Sequence, residues 1–169
     1  MTDTSKSTHG EGQLRPGLWQ VVNDRYPGSM VHKEDTVPLA KLTKPLAKSR
    51  VAFLSTSGVQ PKGSLPFNTV HPIGDYSFRR VPSDALPSEL EIHQLKYPTF
   101  GADRDINVIF PLERLRELRD EGVIGELNAH HYTFIGYNMD PATLEATLAE
   151  DVAQALVDDE VDVALAAPA

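Results

Sequence analysis

The sequence predicts an α/β fold: a Rossmann-like parallel sheet with crossover helices, an irregular N-terminal arm before it, and a C-terminal part that is missing. Three observations predict this. Short apolar runs at 51–55, 131–136 and 161–167 have the length and closing residues of strands. Between them, two longer stretches repeat apolar residues at helical spacing, one following Pro111 and one following Asp140. The resulting order, strand, helix, strand, helix, strand, favours parallel strands joined by right-handed crossovers.

Taken in order, residues 1–49 read as a disordered tail and irregular arm, because Pro16, Gly17, Pro27, Gly28, Pro38 and Pro45 interrupt every incipient period. Trp19 is expected to pin this arm to the body, residues 50–169, which reads as one domain. The run Val51-Ala-Phe-Leu-Ser55 closes on Thr56-Ser57-Gly58, as a buried strand entering a turn. From Pro61 to Pro87 the prolines and glycines predict loop; Glu91–Leu95 is a candidate strand, and a short strand is expected over Asn107–Phe110. Pro111 suits a first helical position, Leu112, Leu115 and Leu118 share a face, and Gly122 is placed to end the helix in the left-handed conformation. Asp140 then caps a second helix, whose face is Ala142, Leu144, Leu148, Val152, Ala155 and Leu156 and which is expected to stop near Leu156. The last strand, Val161–Ala167, is apolar enough to be buried on both faces.

Composition narrows the chemistry. The 169 residues contain no cysteine, which excludes disulfides, thiolate metal sites and a thiol nucleophile within them. No segment has the roughly 18 apolar residues of a bilayer span, and Met1–Gln13 is polar, so a soluble cytoplasmic protein is expected. The last basic residue is Arg119: the final fifty residues carry eleven Asp and Glu against no Lys or Arg. Such a field disfavours nucleic acid and membrane, and suits either solubility or docking of a basic partner.

Several groups are candidates for chemistry, each with a plainer alternative. Ser55-Thr-Ser-Gly58 could cradle an anion through backbone N–H groups, though no glycine fingerprint supports it. Asp103-Arg104-Asp105 is either a locally paired loop or a grip on a carboxylate through the Arg104 fork. His93, His130 and His131 are the residue type suited to shuttling protons, yet a histidine beside a strand is often a hydrogen-bonded structural residue. Metal ligation by His93, His131 and Asp103 lacks ligand spacing. In Gly74-Asp-Tyr-Ser-Phe-Arg79 the aromatic pair reads as a loop anchor, with Arg79 facing a substrate carboxylate as the sharper option.

Together, Ser55-Thr-Ser-Gly-Val59, Gly74-Asp-Tyr-Ser-Phe-Arg79, His93, Asp105-Ile-Asn-Val108, Phe110-Pro111, Leu115-Arg-Glu-Leu118, Gly122, Ile124-Gly125, His131 and Phe134-Ile-Gly136 stand in a specific order. From about Arg50 to Ala169 the chain resembles the selenoprotein B family of glycine, sarcosine, betaine and D-proline reductases. In that family the last strand leads into a selenocysteine, or in some members a cysteine. The resemblance therefore implies that the nucleophile lies just beyond Ala169, and that Ala169 precedes a selenocysteine codon read as stop. The apolar ending Ala166-Ala-Pro-Ala169 agrees with that expectation.

The resemblance implies reductive cleavage of a carbon–nitrogen bond. A carbonyl-type (pyruvoyl) group on a partner subunit forms an imine with the amine substrate, the chalcogenolate attacks the activated carbon and the amine leaves. A dithiol or thioredoxin-type reductant finally supplies the electrons. No cofactor belongs to the present residues, and the chain alone is expected to be inactive. Within it, His131 and His93, with Asp103 and Asp105, are the candidate catalytic and orienting residues; Arg104 and Arg79 are the candidate substrate-binding ones. From a different class, the alternative is a non-catalytic assembly module of the same fold, docking through its acidic C-terminal third.

Overall fold

A computed structural model describes residues 16–25, 27, 40–95 and 97–169. Its centre is strand β1, Arg50–Ser55, which alternates its side chains between two layers of helix. Strand β7, Val163–Ala167, pairs parallel with β1 along its whole length, from Val51↔Val163 to Ser55↔Ala167. On the other side β1 pairs parallel first with β5, Glu126–Leu127, and then with β6, His130–Thr133. Strand β3, Arg79–Pro82, completes the sheet antiparallel to β6. A separate antiparallel ribbon joins β2, Val59–Pro61, to β4, Leu90–Ile92.

The α/β expectation therefore holds, while the all-parallel sheet does not. Three short strands, β2, β3 and β5, lie where loop or turn was expected; β3 runs antiparallel within the main sheet, and β2 pairs antiparallel with β4 outside it. The backbone at Arg79–Pro82 earns its ladder by position beside β6 rather than by an apolar alternation visible in Arg-Arg-Val-Pro. The strand expected at Asn107–Phe110 is instead a short tight helical turn, Ile106–Val108, opened by Asp105, whose side chain accepts the Asn107 N–H. Helix α1 spans Pro16–Arg25, so the prolines and glycines of the arm do not interrupt every period; Pro16 occupies the first helical position. The side chain of Trp19, expected to pin the arm to the body, lies outside the described part of the structure.

Helix α2, Leu112–Asp120, buries Leu112 and Leu115, whereas Leu118 is 36 % exposed. Gly122 follows it with φ 74°, the left-handed conformation expected of it. The α2 layer packs Leu112, Leu115, Phe110, Val59 and Val81 on Phe53 of β1, with the Phe53 and Phe110 rings edge-on at 5.3 Å. Arg116 ties the layer down by donating from Nε to the Ser83 carbonyl and from Nη2 to that of Ala85.

The opposite layer is a longer helix in three parts: α3, Pro141–Leu144, a wide turn at Glu145–Ala149, and α4, Glu150–Asp158. Asp140 caps it as expected, accepting from the Thr143 N–H and the Thr143 hydroxyl. Ala155 and Leu156 cover Ala52, Leu54 and Tyr132 of the sheet. The Tyr132 hydroxyl donates to Asp159 Oδ2 at 2.6 Å, and Asn128 Nδ2 donates to the same oxygen. Burial and the neighbouring Asp159 charge push the Tyr132 phenol up to about 12, and the two donors hold the Asp159 carboxyl below its usual range. Beyond this pair the chain enters β7, whose start is fixed to β1 by the Arg50 N–H on Asp162 Oδ2 and by the Asp162 N–H on the Arg50 carbonyl.

Two-face burial of β7 is not observed. It is the edge strand of the described sheet, with Ala164, Leu165 and Ala166 exposed, Leu165 at 46 %. Among the described residues no helix is long and apolar enough to cross a membrane.

Candidate active-site cleft

Parallel strands deliver their loops to one end of a sheet, and ligands of open α/β sheets bind there. Beyond the carboxyl ends of β1, β6 and β7 lies a cleft of about 410 Å³, formed by Thr56 after β1, Gly136 and Tyr137 after β6, Pro168 and Ala169 after β7, and Gln94 and Tyr97 from the loop after β4. No acidic side chain lines it, although the chain's formal net charge is −8. The Tyr97 hydroxyl donates to the Ser57 carbonyl at 2.7 Å, and burial, followed by the Asp103 charge, raises its pKa.

The floor of the cleft is held by a dense set of backbone bonds. Phe134 N–H donates to the Ser55 carbonyl, Gly58 N–H donates to the Phe134 carbonyl, and Ser57 bridges Ile135. Ser55 and Ser57 are buried, and their hydroxyls serve this turn: Ser55 Oγ accepts the Ser57 N–H and Ser57 Oγ accepts the Val59 N–H. The N–H groups of 57–59 are thus occupied, which removes the anion cradle considered for Ser55–Gly58. Thr56 is the hydroxyl of the set that reaches the cleft, where its Oγ1 accepts the N–H of Ala169 at 3.0 Å.

His131 lies under the sheet rather than in the cleft. Fully buried, its Nδ1 accepts the Phe53 N–H at 3.0 Å, and its ring meets Phe110 edge-on. The register explains why: β1 runs from Val51 to Leu54 while its partner advances from Leu127 to Tyr132, so the ladder is broken there and the imidazole fills the gap. Burial first, then the charges of Arg116 and His130, lowers the His131 pKa to about 4. Nε2 has no hydrogen-bond partner among the described residues. A neutral ring in this position cannot release a proton to the cleft at neutral pH.

The other residues singled out by the sequence are dispersed. Asp103, Arg104 and Asp105 line a different cavity, of about 430 Å³, together with Glu91 and Glu113. There four carboxylates surround one guanidinium, a field that opposes a second anion. Asp105 is held below the usual carboxylate range by the side chain and backbone N–H of Asn107. His93 is held through its backbone, donating its N–H to the Gly58 carbonyl at 2.9 Å. Arg79 clasps its own loop: its guanidinium stacks on Phe67 at 4.2 Å, Nε donates to the Leu65 carbonyl and Nη1 to Ser77 Oγ. Reading from sequence missed Tyr97, Gln94 and Tyr137. Tyr137 could have been found, since it follows Phe134-Ile-Gly136 at a strand's carboxyl end; nothing near Tyr97 announces it.

An α/β domain with a cleft free of acidic side chains at the ends of three parallel strands defines a class of proteins, not a reaction. Residues 24–167 match the family described as glycine/sarcosine/betaine reductase selenoprotein B, and the chain belongs to that family. It is similar to the D-proline reductase subunit gamma of Acetoanaerobium sticklandii, 31 % identical over 124 residues, 73 % of this chain and 50 % of the relative. It is also similar to the glycine reductase complex component B subunit gamma of Peptoclostridium acidaminophilum, 30 % identical over 76 % of this chain and 30 % of the relative. The protein of the same name from Symbiobacterium thermophilum is 29 % identical over the same shares. The match thus spans half or less of these relatives' length. No solved structure matches the chain.

Proposed function

We propose that this chain forms the α/β body of a cytoplasmic reductase subunit that cleaves the carbon–nitrogen bond of a glycine, sarcosine, betaine or D-proline type substrate. In this reading residues 50–169 are the working domain, and a selenocysteine or cysteine follows Ala169 in the complete subunit. One observation carries it: the carboxyl end of β7 runs into the cleft and is held there by Thr56.

The cleft fits such a nucleophile, because its lining offers hydroxyl and amide groups and no acidic side chain that would repel an anion. The chalcogen, when present, supplies an electron pair to the substrate carbon as the amine leaves. What the chain itself contributes is placement. The 55–58 turn, bonded to Phe134 and Ile135, fixes the floor. His131 acts by position, holding β1 in line through Phe53 two residues before Ser55. Thr56 and Tyr97 present oxygen atoms to the reacting space. A second subunit bearing a pyruvoyl group and a dithiol or thioredoxin-type reductant complete the system.

The test is made on protein purified from its source together with the chains that accompany it. Each of the four substrates is supplied with excess dithiol, and amine release is measured beside disulfide formation. The reading expects one substrate to give amine (5-aminopentanoate from D-proline) with one dithiol oxidised per bond cleaved. Absence of dithiol oxidation with all four would overturn it.

A further inference from the structure

Gly63-Ser-Leu-Pro-Phe-Asn-Thr-Val-His-Pro-Ile-Gly74, most of the connection from β2 to β3, contains no Asp, Glu, Lys or Arg in a chain where 24% of residues are charged. It nevertheless faces solvent: Leu65 is 79% and Val70 84% exposed, and Pro66, Pro72 and Ile73 are exposed in the same stretch. The loop is braced from within. Phe67 is buried under the Arg79 guanidinium, whose Nε donates to the Leu65 carbonyl. Asp75 accepts the N–H groups of Asn68 and Ser77, Asn68 Oδ1 accepts the His71 N–H, and the Tyr76 hydroxyl donates to the Ile73 carbonyl. Apolar residues scattered singly over a surface are ordinary, but a charge-free, braced loop that holds several in water has the composition of an interface core, which is depleted of charge. The same loop forms the lip of the cleft. Met139 N–H donates to the Ile73 carbonyl, and Tyr137, which lines the cleft, donates its hydroxyl to the Pro72 carbonyl. Gly74 pairs with Asn138 at φ 111°, and a Cβ there would collide with the Tyr137 carbonyl.

We infer that residues 64–73 are the docking surface for the partner subunit that brings the carbonyl-type group to the cleft, and that this partner meets them with an uncharged, apolar surface. This rests on the reading proposed above and gives it a place of assembly. A group carried by another subunit reaches the cleft only if that subunit seats on its rim, and the loop is built into the rim through Tyr137 and Asn138. Charge selects the occupant. A basic surface would be drawn to the C-terminal third, where eleven acidic residues lie. Against Leu65 and Val70 it would lose its water and gain no partner, which is costly. Because the loop is already ordered, docking does not have to fix its backbone, and more of the apolar contact is realised as affinity.

The test uses the full chain, affinity-tagged and expressed in its source, and the carbonyl-bearing subunit purified from the wild-type complex and identified by hydrazone formation with a hydrazide. The dissociation constant of the pair is read by sedimentation. Leu65→Asp and Val70→Asp, both at exposed positions, are each expected to weaken binding about tenfold, while Val70→Ile keeps the wild-type affinity. Asp151→Lys, at an exposed position of α4, is expected to leave binding unchanged. Thermal melting confirms that each variant is folded. Wild-type affinity in both folded aspartate variants overturns the inference and leaves the reductase reading standing. Self-association that the aspartate variants abolish while partner binding persists does the same, because the occupant of the loop is then a second copy of this chain. Weakening by Asp151→Lys alone moves the docking surface to the acidic third and overturns the inference as well. Absence of any carbonyl-bearing chain from the wild-type complex overturns the reductase reading, and this inference with it.

Discussion

At the scale of single residues, His131 shows how a group that titrates near neutrality in water becomes structural when burial removes its solvent. Its folded-state pKa of about 4 lies below the ordinary value of 6.5. Between these values the unfolded chain binds one more proton than the folded one. The stabilisation is therefore complete above pH 6.5 and is lost as pH falls towards 4, up to about 3 kcal/mol in all. His131→Gln, which retains an acceptor for the Phe53 N–H but does not titrate, is expected to flatten the fall in urea midpoint between pH 7 and pH 5. An equally steep fall in the variant would show that other groups govern that window. The carboxylates Asp75, Asp159 and Asp162, whose pKa values are lowered, contribute their losses at more acid pH and so do not confuse the comparison.

At the scale of elements, local chemistry was legible where one residue's own side chain fixes the backbone. Asp140 with Pro141, and Gly122 after α2, announced their helix ends because capping and left-handed backbone are decided within a few residues. Asp140→Ala is accordingly expected to lower the urea midpoint at pH 7; no loss would mean that packing of Leu148 and Val152 alone holds that helix. Strand β3 was not legible, since Arg79-Arg80-Val81-Pro82 acquires its partners from β6 fifty residues away. The Ile106–Val108 turn was misread because Asn107-Val-Ile-Phe has strand composition, while the Asp105 cap dictates a helical turn. The cleft was legible in part: the strand ends and the 55–58 turn were visible in sequence, but the partition of their hydroxyls was not. Ser55 and Ser57 face inward and Thr56 outward, an assignment made by the pairing of β1 with β6 and β7.

At the scale of the whole molecule, a central strand with helices on both faces leaves β7 as an exposed edge of the described sheet. Strand β7 carries no charge, and Leu165 stands 46 % exposed on it. On the α4 face an apolar groove of about 250 Å³, containing Leu54, Phe134, Leu144 and Leu148, lies beside the exposed end of the sheet. Unprotected edges and apolar grooves favour association. The 169-residue chain is expected to self-associate with rising concentration in sedimentation, and Leu165→Lys to suppress this; a wild-type chain that remains monomeric throughout would contradict it. The same arrangement places the end of β7 at the cleft, and on that the reductase reading depends. Its most direct test is the intact mass of the protein isolated from its source, with tandem fragmentation across Ala169. The account predicts a mass above 18.6 kDa and a selenocysteine or cysteine as the residue after Ala169. A native product of 18.6 kDa ending at Ala169 would contradict it.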